Sequence, residues 1–200
     1  MKTTAIYGLF LLSLLLLAGC ASLQPPLYIN PGYNNNEIQQ ITVLPALEGR
    51  TDKSKDVSMF SDIAKPIAKQ MTSKKYTVTA VQVCPEIANL LEVDLREPDP
   101  EMLATFEKYG RFVAFPVLLD MSSKVSFGSS GNAEVAMYMM DTQNKCLVWR
   151  EKGIGACGQG GLVGMAMVGT MAHSALKIAV ANTTKSLPAK GQPFINGVRK

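Results

Sequence analysis

The residue with the most recognisable chemistry in this 200-residue chain is Cys20. It follows an apolar run, Ile6 to Leu17, and the small pair Ala18-Gly19, and Lys2 places a positive charge ahead of the run. This order is typical of a secretory signal peptide, which a peptidase cuts after small residues. The run is shorter than the roughly 20 apolar residues that a membrane-spanning helix needs. The pattern predicts cleavage between Gly19 and Cys20, which leaves the Cys20 thiol on the first residue of the mature chain.

The segment from Leu14 to Cys20 resembles the lipobox of bacterial lipoprotein signal peptides. The resemblance implies that Cys20 takes a diacylglycerol thioether and, after cleavage, a further N-acyl chain, so that it anchors the chain to a membrane. Ala21 stands where lipoproteins retained in the inner membrane carry aspartate, which implies the outer membrane. The alternative is an ordinary cleaved signal followed by an incidental cysteine.

Three further thiols, Cys84, Cys146 and Cys157, would lie in an oxidising compartment. They allow one disulfide at most, and buried inert thiols are the favoured interpretation. Their spacing does not match a zinc knuckle, and His173 is the only histidine, so no metal site is expected. His173 also lacks an acidic neighbour in sequence, so it is predicted to be an ordinary helix residue rather than a catalytic base.

Neither the acidic residues nor the glycines assemble into an enzyme site. Asp94, Glu97, Asp99 and Glu101 cluster in one stretch, which a solvated turn with a helix-capping acid explains without catalysis. A glycosidase uses two carboxylates, but the sequence singles out no pair. The segment from Gly160 to Gly164 lacks the Lys-Ser/Thr pair of a phosphate-binding loop. We expect a protein that is not an enzyme and binds no cofactor.

Composition supports one folded domain without nucleic-acid affinity. Hydrophobic residues make up 47% of the chain and charged residues 18%. Without Lys2, 19 basic residues face 16 acidic ones, a net charge of about +3 that is too small to indicate nucleic-acid binding. We predict a signal peptide at 1–19, a lipidated N-terminus and flexible tether at 20–37, a domain at 38–186 and a mobile basic tail at 187–200. An extended tether of that length reaches roughly 50 Å.

The first half of the domain predicts a β-α-β unit with parallel strands. Ile38 to Leu44 alternates as a strand, and a helix follows whose apolar face is Phe60, Ile63, Ala64, Ile67, Ala68 and Met71, with a kink expected at Pro66. Tyr76 to Val83 is rich in β-branched residues and forms the second strand. Two short helices are expected next, one from Cys84-Pro85 to Leu91 and one at 101–109.

The second half predicts three strands and a long helix. Arg111 to Leu119 is the first strand, with a bulge or an unpaired edge expected at Pro116. After a Ser/Gly segment at 127–131, a hairpin forms from 132–141 and 146–154. A glycine-rich bridge at 155–164 leads to the final helix, which ends near Lys185. The fold class is therefore α/β (α+β), a single domain of two or three layers with a mixed sheet of about five strands.

The stretch from Gly161 to Ala181 leaves three interpretations open. It can be a helix packed on the sheet, a subunit interface or a membrane-inserted segment. The residues suited to an interface are Gly160, Gly164, Met167 and Met171.

The order of elements and three motifs resemble a bacterial lipoprotein family of unknown function. The motifs are Val43-Leu44-Pro45, the hairpin from Asp141 to Trp149, and Gly161-Leu162-Val163-Gly164, and the resemblance covers Ile38 to Lys185. The fold of that family is similar to the N-terminal domain of TolB and to LpoB, PelC and CsgG. It implies an outer-membrane lipoprotein facing the periplasm, an accessory factor in envelope assembly or secretion whose protein partner is a channel, with self-association open. The alternative is an LpoB-like regulator of a peptidoglycan synthase.

Overall fold

A mixed sheet of seven strands forms the centre of the domain in the computed structural model, which describes residues 28–52, 60–92, 99–126, 128–161 and 168–192. The strands are β1 (Tyr28–Ile29), β2 (Gln40–Val43), β3 (Leu47–Glu48), β4 (Thr77–Ala80), β5 (Phe112–Ser126), β6 (Gly128–Asp141) and β7 (Cys146–Gly160). Their order is β1-β7-β6-β5-β2-β4, and β3 pairs with β5. The helices are α1 (Phe60–Ser73), α2 (Pro100–Ala104) and α3 (Val168–Asn182), with 3-10 turns at Asn35–Glu37, Pro85–Glu92 and Glu107–Tyr109.

The parallel half of the sheet confirms the predicted β-α-β unit. β2 pairs in parallel with both β4 and β5, and α1 connects β2 to β4 in the chain. Ile63, Ile67 and Met71 of α1 are buried, whereas Pro66 lies inside the helix on its exposed side. The 3.6-residue spacing of the apolar positions therefore identified the buried face correctly.

The antiparallel half is longer than predicted. β6 begins at Gly128, inside the segment expected to be a loop, and β7 continues to Gly160, through most of the expected glycine-rich bridge. The two strands pair without interruption from Gly128↔Gly160 to Met139↔Trp149. Glycine weakens an isolated strand, but here continuous ladders and close packing against α3 compensate for that cost.

Pro116 sits within a continuous ladder to β6, and the irregularity in that ladder falls between Leu118 and Asp120 instead. The carbonyl oxygens of Ala114 and Leu118 accept hydrogen bonds from the β2 and β3 side. Because backbone groups alternate along a strand, the nitrogen of Pro116 faces the same side, at the gap between β2 and β3. Pro116 has no N–H to donate, and it lies where neither β2 nor β3 pairs with β5. This gap is the unpaired edge that the proline predicted.

The N-terminal boundary predicted at residue 38 is wrong. β1 pairs with β7 through Tyr28↔Arg150 and Ile29↔Trp149, and Asn35 is buried. The tail prediction also begins too early, because Leu187 is fully buried. Both segments look like linkers in sequence because polar hydrogen bonds, rather than an apolar period, attach them to the domain.

Helical segments cover both faces of the sheet, so the domain has three layers. α1 and α3 pack with one face into a core that includes Trp149, Ala175 and Ala179. The turn at Pro85–Glu92 and the helix α2 pack with the opposite face into a second core around Phe106 and Phe115. The single helix predicted at 101–109 is divided into α2 and the turn at Glu107–Tyr109.

Candidate functional site

The residues predicted as functional fall on different parts of the chain. Gly19, Cys20, Gly164 and Met167 lie outside the described residues. Gly160 lies at the exposed end of β7, where a Cβ would meet no atom within 4 Å. Met171 is buried in α3, and its sulfur lies 3.5 Å from the Cys157 sulfur. Of the residues predicted to form an interface, Gly160 and Met171 are described: Gly160 lies at an open strand end, and Met171 lies in the core.

Close packing of small residues does occur, at glycines that the sequence reasoning did not select. A Cβ at Gly153 or Gly155 would overlap the backbone of α3 at Ala179 or Ala175, and one at Gly131 would overlap it at Met171. α3 consequently lies directly against the strand backbones. The alternation of glycines on β7, two residues apart, was the available sequence signal. Of the three interpretations of this stretch, the packed helix is the one found for the described residues of α3.

Asp141 is the centre of the largest polar cluster. It is fully buried, and it accepts hydrogen bonds from the Tyr33 hydroxyl (3.1 Å), Arg111 Nε (3.0 Å) and the Asn144 side chain and backbone (3.0 Å each). Arg111 also pairs with Glu37 at 2.8 Å. The cluster ties the N-terminal segment to the turn between β6 and β7.

The electrostatics of this cluster fit a structural role. Burial by itself would raise the pKa of Asp141, but hydrogen bonds from Arg111, Asn144 and Tyr33 outweigh it and hold the pKa below its ordinary value. Burial and the adjacent Asp141 raise the pKa of Tyr33. A carboxylate whose two oxygens are surrounded by donors has little capacity to accept a proton from a substrate.

A second buried carboxylate fixes the C-terminal segment. Glu151 accepts hydrogen bonds from the Ser186 backbone nitrogen (2.9 Å) and hydroxyl (2.6 Å), and Trp149 Nε1 donates to the same hydroxyl at 3.2 Å. Burial raises the pKa of Glu151 above its ordinary value. Trp149, which is fully buried, is thus tied to the C-terminal segment through Ser186.

Asn35 joins the two ends of the described chain. Its side-chain amide donates to the carbonyl oxygens of Ala189 (3.2 Å) and Gln192 (2.7 Å), and its side-chain oxygen accepts from the Tyr76 hydroxyl (2.7 Å). Burial raises the pKa of Tyr76 to about 12. Lys74 donates to the carbonyl oxygen of Leu187. The segments on either side of the domain are thus held by one set of buried polar contacts.

A fourth polar cluster lies on the other face of the sheet from α1 and α3, beside the turn at Pro85–Glu92. Glu86 accepts from Lys108 at 2.5 Å and from the Tyr109 hydroxyl at 3.1 Å, and the Lys108 hydrogen bond lowers its pKa to about 2. Burial raises the pKa of the neighbouring Cys84 thiol, which therefore stays protonated and unreactive at neutral pH.

The remaining chemical candidates have structural explanations. Cys84, Cys146 and Cys157 are free thiols. Among the described residues, no three metal-binding side chains come together. Asp99 caps α2 by accepting from the Glu101 nitrogen at 2.9 Å, as predicted for that acidic stretch. His173 is an exposed residue of α3.

An apolar groove of about 550 Å³ separates α1 from α3 on the outer side of the helix layer. Its lining residues are Ile63, Pro66, Gln70, Leu176, Lys177, Val180 and Ala181. Gln70 closes one end of it by accepting a hydrogen bond from Thr184 at 2.7 Å. Within the described part of the chain, neither helix is long and apolar enough to cross a bilayer.

No protein-family model and no curated protein matches the sequence. Solved structures do match the fold. Lipoprotein GNA1162 from Neisseria meningitidis gives a TM-score of 0.44 at 16% identity, over 66% of this chain and 93% of that one. The PelC dodecamer from Paraburkholderia phytofirmans gives 0.44 at 11%, over 78% and 92%. The LpoB C-terminal domain from Salmonella enterica gives 0.36 at 12%, over 58% and 82%.

GNA1162 is a bacterial lipoprotein, and PelC and LpoB are two proteins that the sequence motifs had suggested. The resemblance to PelC and LpoB is therefore found, at a low level of similarity. The resemblance to TolB and CsgG stays a prediction. At these identities and TM-scores none of the matches carries an argument about what the chain does.

Proposed function

We propose that the chain is a non-enzymatic lipoprotein of the bacterial cell envelope, anchored by acylated Cys20 in the outer membrane and facing the periplasm. It works as an accessory factor in envelope assembly or secretion, through contact with other proteins. The observation that carries this proposal is the Leu14 to Cys20 segment, followed after a short link by a folded domain.

The length of that link supports a partner close to the membrane. Because β1 includes Tyr28, at most residues 21–27 separate Cys20 from the folded domain. Eight residue steps extend to about 28 Å at most. This reach suits a channel or another protein at the outer membrane. It argues against the alternative, an LpoB-like regulator that must contact a synthase across the periplasm.

The polar clusters of the domain support a role without catalysis. Asp141 and Glu151 are buried, and both are used in attaching terminal segments to the sheet. A catalytic acid or base needs access to a substrate proton. The exposed surfaces of the two helical layers remain as the candidates for contact.

The test of the anchor compares the wild-type chain with Cys20→Ala in cells supplied with labelled palmitate. We expect label on the wild-type chain and its recovery with outer membranes, with neither for Cys20→Ala. Ser22→Ala is the matched control and should behave as wild type. Label on Cys20→Ala, or wild-type chain confined to inner membranes, would contradict the anchor or its location respectively.

The test of the partner is photo-crosslinking in cells from exposed positions on each helical layer, for example Ile178 of α3 and Glu107 of the opposite layer. Recovery of a secretion channel or of a second copy of the chain would support the accessory role. Recovery of a peptidoglycan synthase would support the regulator instead.

A further inference from the structure

The charge of the domain is divided between its two helical layers. Residues 63–76 and 168–192, which include the described side chains of α1 and α3, contain no Asp or Glu, and Asp62 is the one acidic residue in the sequence of the two helices. Their lysines are Lys65, Lys69, Lys74, Lys75, Lys177, Lys185 and Lys190. The opposite layer, residues 85–92 and 99–110, contains five acidic residues and a single lysine, Lys108. The modest net charge of the mature chain therefore hides a basic layer and an acidic layer on opposite faces of one sheet.

The outward side of α1 and α3 also exposes apolar surface. Ile178 is 42% exposed, and the groove between the helices lies beside it. We name this surface the helix face: its exposed residues include Lys65, Lys69, His173, Lys177 and Ile178. Lysines around a shallow apolar strip are the composition of surfaces that rest on anionic bilayers, since ammonium groups meet headgroups while apolar side chains enter the interface.

The position of the anchor limits how the domain can lie against the membrane. Since Tyr28 pairs with Arg150 and Ile29 with Trp149, the chain enters β1 from the side towards which β7 continues. Gly160 lies ten residues beyond Arg150, about 33 Å further along the strand. The link from Cys20 to Tyr28 reaches at most about 28 Å, which is shorter than that distance.

With strands upright on the membrane, even a fully stretched link would bring the ends of β6 and β7 down to the level of the lipid anchor or below it. Unpaired strand edges are costly in hydrocarbon, so an inclined sheet, with one of its helical layers turned towards the lipid surface, is favoured. The acidic layer is repelled by anionic headgroups, whereas the basic layer is attracted.

We propose that the helix face rests on anionic phospholipid headgroups of the membrane that holds Cys20. The inference that the sheet is inclined rests on the proposed anchor at Cys20, whereas the attraction between the lysines and anionic headgroups does not. The lipid on Cys20 then provides attachment, and the helix face fixes which side of the domain is turned to the periplasm. In this orientation the acidic layer, with Glu86, Glu101 and Glu107, is presented to partners.

The experiment uses the mature chain from residue 20 with Ala at that position, exported behind an ordinary signal peptide so that it carries no lipid. Its sedimentation with phosphatidylcholine vesicles is compared with and without phosphatidylglycerol. We expect binding only with phosphatidylglycerol, and weakening as salt is raised. The variant Lys65→Gln/Lys177→Gln should bind roughly 30-fold more weakly, since each lysine near such a surface contributes a factor of about five.

The matched control removes the same charge elsewhere. Lys108→Gln/Lys145→Gln changes exposed lysines in the acidic layer and in the turn between β6 and β7, and it should bind as the parent chain does. An equal loss in both variants, or no preference of the parent chain for phosphatidylglycerol, would overturn the proposal. The emission of buried Trp149 reports that each variant is folded. Because this chain lacks lipid, its result is independent of whether Cys20 is acylated in cells.

Discussion

Replacing Gly155 by alanine tests whether α3 lies directly on the strand backbones. The added Cβ would stand 2.6 Å from the Ala179 nitrogen and closer still to the Ala175 carbonyl oxygen. Ordinary non-bonded atoms stay about 3.5 Å apart, so α3 must retreat by about 1 Å or more. Both contacts are to helix backbone, which cannot move aside as a flexible side chain can.

The expected cost lies at the upper end of the range for overpacking, about 3 kcal/mol of the free energy of unfolding. For a chain of this size that corresponds to a fall in Tm of roughly 6–12 °C. The measurement is urea unfolding followed by the emission of Trp149, which is fully buried. The midpoint should fall with little change in slope, because the surface exposed on unfolding is nearly the same.

The same strand supplies the control. A Cβ at Gly160 would meet no atom within 4 Å, and one at Gly158 would have its nearest neighbour at 3.6 Å. Alanine at either position should leave stability unchanged or raise it by up to about 1 kcal/mol, since glycine loses more backbone entropy on folding. If Gly155→Ala were as stable as Gly160→Ala, α3 would not pack on the sheet as described.

Two further predictions concern the buried polar contacts. Asp141→Asn should lower stability by about 2 kcal/mol near pH 7, since it removes the buried carboxylate to which Arg111 and Tyr33 donate and leaves Arg111 paired with the exposed Glu37 alone. The pKa of Asp141 in the folded protein lies below its unfolded value near 4. The stability that the ionised carboxylate contributes is therefore present above the unfolded pKa and is lost as the pH falls through the folded pKa, so wild type and variant should converge in acid. A constant difference in their stability between pH 2 and 7 would contradict this. Asn35→Ala should cost about 1–3 kcal/mol and speed proteolysis within residues 187–192, because it removes two hydrogen bonds to that segment. Exposed Asn36→Ala is its control, and equal protease resistance of the two variants would refute the attachment.

The spacing of apolar residues predicted the central helices and strands. It did not predict the polar contacts that attach the terminal segments to the domain. The spacing of Ile63, Ile67 and Met71 identified the buried face of α1, because periodicity records which side of a helix meets the core. Asn35 gave no such signal. Its burial depends on carbonyl oxygens more than 150 residues away in the chain. Hydrogen bonds of that kind have no sequence period, so composition alone suggested a flexible tether.

The glycines at the end of β7, from Gly155 to Gly160, were misread as a bridge for a related reason. Gly153 and Gly155 favour a loop when propensity is considered alone. In the fold they are required, because any side chain there would displace α3. A helix that approaches strands this closely buries Ala175 and Ala179 completely. The local cost of glycine in a strand is thus offset by the packing of the strand against α3, and this packing cannot be read from a single sequence.

The division of charge arises from topology rather than from any local stretch of sequence. The lysines of α1 and those of α3 are separated by about a hundred residues, and they share a face because both helices pack on the same side of the sheet. The connection through Pro85–Glu92 and α2 passes on the other side and carries the acidic residues there. The net charge of about +3 sums the charges of both layers, so it excludes neither an anionic nor a cationic partner. What the chain can bind is therefore decided by which layer a partner meets.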